Sequence, residues 1–258
     1  MARHGGLIAV ERIFCCFYLV SECEMAEDFV DLSLPPDFDG TVRLFPLRDV
    51  VLFPGIVQAF NIFEPRYRKM MEDCLGSDQL ITMATVDPHG DRRPDGQPAI
   101  EPVVCVGRVL SSTKLADGNY NLFLIGVKRA VIMTEIDTTS PYRLAEVEVQ
   151  EEDDEEQFCE GVSRKLILSK FSELLRLIPG SNDQVLKQFS SKDLPLCRLV
   201  DMVSYASGMA PKDQLRILAT MDLNCRGALL LCLLDERIQE VQHKSNSAPK
   251  FPPEFSLN

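Results

Sequence analysis

The sequence predicts an α+β protein, a small closed or nearly closed β-barrel followed by a compact bundle of four to five helices. Three observations lead there. Between Val42 and Gln150, short β-branched and aromatic runs alternate with turn residues. Beyond residue 161, apolar residues recur at helical spacing. Between the two lies an acidic run, Glu151 to Glu160, that holds more than half of the chain's net charge of −12. With 258 residues, 45% apolar and 26% charged, the chain can bury a full core, which excludes wholesale disorder and fibrous repeats.

The barrel is expected over 41–150, the acidic linker or helix start over 151–160 and the bundle over 161–243. A flexible tail is expected over 244–258, and residues 1–40 read as a disordered or mis-started extension. Within that extension, Ile13 to Val20 is too short to span a bilayer, and Glu11 and Arg12 interrupt the apolar stretch that a signal peptide needs. Met25 is an alternative first residue. No apolar run reaches membrane-spanning length, so no membrane contact is expected.

The strands follow in order. Val42 to Phe45 stops at Pro46, and Val50 to Phe53 stops at Pro54 and Gly55. Ile56 to Phe63 reads as a further strand. Glu64 to Leu75 is a helical insert, with Pro65 suited to a first turn, Tyr67, Met70, Met71 and Cys74 on one face, and Gly76 at its end. Leu80 to Val86 resumes the strand pattern, and the Pro- and Gly-rich stretch Asp87 to Pro98 is an exposed loop. Val103 to Leu115 and Tyr120 to Ala130 flank Asp117 and Gly118, a hairpin signal because the turn needs positive φ. Val131 to Ile136 and Tyr142 to Val149 complete about seven strands, and closing them into a barrel would protect their edges.

In the second half, Val162, Leu166, Ile167, Phe171, Leu174, Leu175 and Ile178 define an amphipathic helix stopped by Pro179 and Gly180. Ser181, Asn182 or Asp183 can cap the next, which carries Val185, Leu186 and Phe189. Asp193 opens a helix running to Gly208, Pro211 opens another, and the last begins near Asp222 and runs towards Val241.

Catalytic chemistry finds little support. The phosphate cradle GxxxxGK[ST] and the nucleophile elbow GxSxG are both absent. His4, His89 and His243 are too dispersed for a metal centre or for activating a cysteine. The nine cysteines form no CxxC pair, which fits a reducing cytoplasm, and those within apolar segments read as small core residues. No cofactor, metal or catalytic residue is expected. The acidic balance argues against nucleic acid, for which only Arg92 with Arg93, or Lys128 with Arg129, could nucleate a basic patch.

The unusual feature is apolar. The string LFPLRDVVLFPG, Leu44 to Gly55, sets Phe45, Pro46, Phe53 and Pro54 around Arg48 and Asp49. Either the aromatics fill the barrel mouth while the two charges pair locally, or they form an exposed rim that holds extended polypeptide.

That string, followed by FNIFEPRYRKMMEDCL, by the hairpin GRVLSSTKLADGNYNLFLIGVKRAVI and by YRLAEVEV, resembles the N-terminal substrate-binding domain of Lon proteases. The later stretch LVDMVSYASGMAPKDQLRILATMDLNCRGALLLCLLDERI is similar to the helical segment that follows it in those proteins. The resemblance spans about residues 42 to 240 and implies a PUA-like β-barrel joined to a helical bundle, with a role in recognising polypeptide. It also implies differences. The ATPase and Ser-Lys peptidase modules that follow this region in Lon proteases are not in the sequence, and Gln214 and Leu215 follow Pro211, Lys212 and Asp213 where the peptidase glycine and serine would stand.

The expectation is therefore a cytoplasmic, non-enzymatic module for unfolded or extended polypeptide, with Phe45, Phe53, Pro54 and Phe63 as contacts. It would act as an adaptor to an ATP-dependent protease or chaperone. The alternatives are an RNA-binding PUA-like protein and a scaffolding or regulatory protein.

Overall fold

In the described residues, 32–93, 96–151, 162–178, 189 and 194–247, the computed structural model holds six strands and five helices. The strands are β1 (Thr41–Leu47), β2 (Val57–Ile62), β3 (Leu80–Thr85), β4 (Val103–Lys114), β5 (Tyr120–Ile136) and β6 (Leu144–Val149). The helices are α1 (Pro65–Leu75), α2 (Arg164–Leu177), α3 (Leu196–Ala206), α4 (Pro211–Ala219) and α5 (Leu223–Ser247).

The sheet order is β2-β5-β4-β3-β1-β6, and β5 also pairs with β6, so hydrogen bonds run in a closed ring through five strands. Only β1 and β3 run parallel, joined across by β2 and α1. The long strand β5 makes the ring possible, because its first half bonds β2 and β4 while its second half bonds β4 and β6. Sequence reading divides this stretch at Ala130, yet no turn residue stands there, and the chain continues as one strand with a register shift between Ile132 and Thr134. The Asp117–Gly118 turn forms as expected, with Gly118 at φ 82°.

The expected strand Val50 to Phe53 is not a strand. Asp49 turns the backbone at φ 57°, and Val51, Leu52 and Phe53 are buried as an irregular plug. A buried loop must still satisfy its polar backbone. Here Thr85 Oγ1 donates to Val50 O (2.7 Å), Gln58 Nε2 to Val51 O (2.9 Å) and the Ile56 amide to Phe53 O (3.1 Å). Gly126 is required opposite this plug, since an added Cβ would lie 2.1 Å from Phe53 O.

Three apolar clusters hold the fold. All five ring strands contribute to one, through small and β-branched residues such as Val42, Ala84, Val104, Ala130 and Ala145, with Leu34 and Phe38 packed against it. A second joins α1 to the sheet, where Phe45 stacks edge-on against Tyr67 at 4.7 Å, and Met70 and Met71 are fully buried. The third is helical and takes in Val51, Phe53 and Ile56 from the plug. The expected helix around Val185 and Leu186, with its capping residues, lies outside the described residues; Phe189 is described, its ring 5.0 Å from that of Phe171. Asp193 also lies outside them. Asp222 caps α5, accepting from the Cys225 amide at 2.7 Å.

Between strands and helices sits a buried charge cluster. Arg129 of β5 donates through Nη2 to Asp201 Oδ1 of α3 at 2.5 Å, both side chains being wholly occluded, and Arg226 of α5 lies 3.8 Å from the same oxygen. The guanidiniums are completed by backbone carbonyls around the α4–α5 turn: Arg129 Nε donates to Leu218 O, and Arg226 to Thr220 O and Met221 O. Burial pulls Arg129 below its ordinary pKa, and the neighbouring Arg226 adds to the fall, while Asp201 opposes it.

Removing the shared carboxylate would leave two buried cations uncompensated. Asp201→Ala is expected to lower the free energy of unfolding by about 3–5 kcal/mol in denaturant titration. A loss near zero would mean that the cluster is solvated.

The buried thiols give a second expectation. Burial pushes Cys74 and Cys105 from 9.0 up to about 12. The stability they confer is complete below pH 9 and is lost as pH rises towards 12. In the native chain both should resist alkylation at pH 9 while exposed Cys225 and Cys232 react, as read by peptide mass spectrometry.

Candidate polypeptide-binding surface

The structure separates the four contact residues expected from sequence. Phe45 and Phe53 are 5% and 0% exposed, and Pro54 is buried in a bridge to Gly126. These three form no rim, because both sides of the Leu44–Gly55 stretch are covered, one by α1 and one by the helices. Nor do Arg48 and Asp49 pair with one another; both stand exposed. Phe63 alone projects, at 63% exposure.

Phe63 stands where β2 gives way to α1, and local sequence fixes it there. Pro65 occupies the first turn of α1 with Glu64 as the preceding cap residue, and Arg66 closes onto Glu64 at 2.9 Å. The helix is held to the β4–β5 hairpin by Lys114, whose ammonium meets Glu72 at 3.1 Å and lies 5.2 Å from the Tyr120 ring centre. Hydrogen bonds to Tyr120 and Glu72 raise the Lys114 pKa, so it stays charged through neutral pH.

The residues beside Phe63 share its exposure. Along β2, Ala59 and Asn61 are exposed while Ile62 is buried and Phe60 turns its ring to Phe45 at 5.9 Å. Register places Ala59 opposite Phe123 and Phe123 opposite Ser111, then Asn61 opposite Asn121 and Asn121 opposite Thr113. Directly opposed residues lie on one face of a sheet. Asn61 Nδ2 donates to Asn121 Oδ1 at 2.7 Å, tying the two strands on that face. Beside them the register shift between Val109 and Ser111 leaves Leu110 as the extra residue, 42% exposed.

The outcome is a patch of Ala59, Asn61, Phe63, Leu110, Asn121 and Phe123 with no charged member, in a chain of net charge −12; the next row on that face, Val57–Ile125–Arg108, brings in the half-buried Arg108, which donates to Ser33 O. Sequence reading missed all of these but Phe63. The available signal is the stretch Val57 to Phe63, seven residues without charge, Pro or Gly. Such a surface has no acid, base or nucleophile. Its chemistry is apolar contact and amide hydrogen bonding.

The basic patches weighed for RNA do not assemble. Arg129 is buried on Asp201, Lys128 pairs with Glu151 at 3.2 Å, Arg93 pairs with Glu135, and Arg92 donates to Gly96 O. Among the described residues, no helix is long and apolar enough to cross a membrane. The echo of a peptidase motif at Pro211 to Asp213 is the first turn of α4, and Gln214 is buried.

Comparison with known proteins bears on the fold and the family. Solved structures of the Lon N-terminal domain share the fold. One from the Mycobacterium avium complex aligns with TM-score 0.57 at 17% identity, covering 76% of this chain and 98% of that one. One from Xanthomonas campestris aligns with TM-score 0.53 at 20% identity, covering 74% and 97%. The Lon protease of Dictyoglomus thermophilum is 28% identical over 198 residues, 76% of this chain and 24% of that protein. The Lon protease of Flavobacterium johnsoniae is 26% identical over 237 residues, 89% and 27%. The chain thus spans about a quarter of the length of these relatives. The model of the ATP-dependent protease La (LON) substrate-binding domain matches residues 41–236, from β1 into the middle of α5, and the chain belongs to that family.

Proposed function

We propose that this chain is a non-catalytic polypeptide-recognition module that holds extended segments of unfolded proteins. The match of residues 41–236 to a substrate-binding domain carries this reading. The match to a substrate-binding domain supports a module that grips a bound chain and does not itself cut it. The module serves ATP-dependent protein quality control in the cytoplasm as an adaptor that presents clients to a separate protease. Within it, residues 41–150 make the contact and 161–243 support it.

The uncharged face around Phe63 is the contact surface. Phe63 supplies a large apolar side chain held at a rigid strand-to-helix junction, so little entropy is lost when a client covers it. Ala59 and the paired amides of Asn61 and Asn121 supply a floor that accepts apolar and neutral polar side chains alike.

Fluorescently labelled ribonuclease, reduced and alkylated so that it stays unfolded, tests this. The wild-type chain should bind it without degrading it, with or without ATP. Phe63→Asp should weaken binding by about tenfold while leaving the circular dichroism and Tm unchanged. Unchanged affinity in the variant, or no binding by the wild type, would refute the assignment.

A further inference from the structure

We infer that the free edge of β2 is a strand-addition site, where an extended segment of an unfolded client pairs main chain to main chain with Ala59 and Asn61. This rests on the polypeptide-binding reading and specifies its mode.

The geometry begins with register. β2 pairs with β5 alone, so among the described residues its other edge faces no strand. The Gly126 amide donates to Ile56 O at 3.0 Å, and Ile56 stands one position before the pair Val57–Ile125. In an antiparallel ladder the bonded positions alternate, so Gln58, Phe60 and Ile62 turn their backbone groups towards β5. Val57, Ala59 and Asn61 turn theirs outward. Val57 is buried, whereas Ala59 and Asn61 are exposed and offer two N–H donors and two C=O acceptors to a neighbour.

Natural sheets guard such an edge with charge, proline, a bulge or a covering element. The stretch Val57 to Ile62 has no charged residue and no proline, and its register with β5 runs through six pairs without a shift. Elsewhere in the same sheet, β4–β5 and β5–β6 are both irregular. The one edge left flat and uncharged adjoins the uncharged face that carries Phe63.

Charge selects the occupant. A second copy of this chain would bring another −12 to the edge, and like net charge opposes self-association. An unfolded segment of neutral or basic character meets no such repulsion. Its backbone satisfies the outward amides whatever its sequence, and every second side chain falls on the face of Phe63 and Phe123.

The test uses an alternating valine–threonine peptide with a lysine at each end, and the same peptide N-methylated through its central residues. Both are titrated into the full chain alongside the unfolded ribonuclease. Ala59→Pro is the matching protein variant. It removes an outward N–H and leaves every β2–β5 bond in place, because the Ala59 amide takes no part in that ladder.

The wild type should bind the unmethylated peptide at least about tenfold more tightly than the methylated one, and Ala59→Pro should lose about tenfold towards the unmethylated peptide at unchanged Tm. Equal affinity for the two peptides, or wild-type affinity in a folded Ala59→Pro, overturns strand addition. Retained, Phe63-dependent binding of ribonuclease in those samples would show that the broader reading survives. If the wild type binds neither ribonuclease nor peptide, both fall together. Should Ala59→Pro fail to fold, the contrast between the two peptides decides. A wild-type dimer in sedimentation that Ala59→Pro dissolves would give the edge to a second copy and overturn the proposal.

Discussion

One carboxylate shared by two guanidiniums fixes how strands and helices meet. Asp201 of α3 faces Arg129 of β5 and Arg226 of α5, and no water-exposed surface remains on any of the three to soften the pairing. An apolar seam tolerates sliding, since hydrophobic burial is non-directional. A buried charge does not tolerate it, because displacement strands it without a partner. The carbonyls of Leu218, Thr220 and Met221 extend this constraint into the α4–α5 turn, so both helices are referenced to the strand ring.

From that seam follows what is left open. The plug of Val51, Phe53 and Ile56 is drawn into the helical cluster on one side, and Phe45 is drawn beneath α1 with Tyr67 and Met70 on the other. Aromatics that would be adhesive at a surface are consumed in holding the ring to its coverings. The part of the sheet that remains presents Ala59, Asn61, Phe123 and the displaced Leu110, with Phe63 at its margin. The candidate surface is thus the complement of the packing.

How far the sequence discloses this depends on whether a residue's role is local. The α1 helix, the Asp117–Gly118 turn and α4 behind Pro211 were legible because caps, turn chemistry and period act within a few residues. Phe63, named from sequence at the end of the Ile56–Phe63 run, is exposed in the structure. The burial of Phe53 was not legible, because an apolar run reads the same whether it lines a rim or plugs a seam, and only a cover distant in sequence, here the helical cluster, distinguishes them. Arg129 shows the same limit in reverse. Next to Lys128 it looks like the start of a basic patch, yet its partner Asp201 lies 72 residues away. Ala59, Asn61 and Asn121 escaped notice because each is an ordinary strand residue, and their significance arises only when register aligns them without a charge.

A surface with a single projecting aromatic has consequences for selectivity. Three exposed aromatics and a proline clustered together would make a contiguous apolar patch that associates with itself as readily as with a client. By burying Phe45, Phe53 and Pro54 and exposing Phe63, the chain keeps one projecting aromatic, with Leu110 and the half-buried Phe123 near it, beside backbone groups that read no side chain. If it binds as proposed, such a site would gain affinity from features that all extended polypeptides share and from apolar contacts that favour apolar segments. Folded proteins bond their backbone internally and bury their apolar residues, so they offer neither. Under the proposed strand addition, discrimination between unfolded and folded chains would need no recognised sequence, and the weakness of each contact would let the client go.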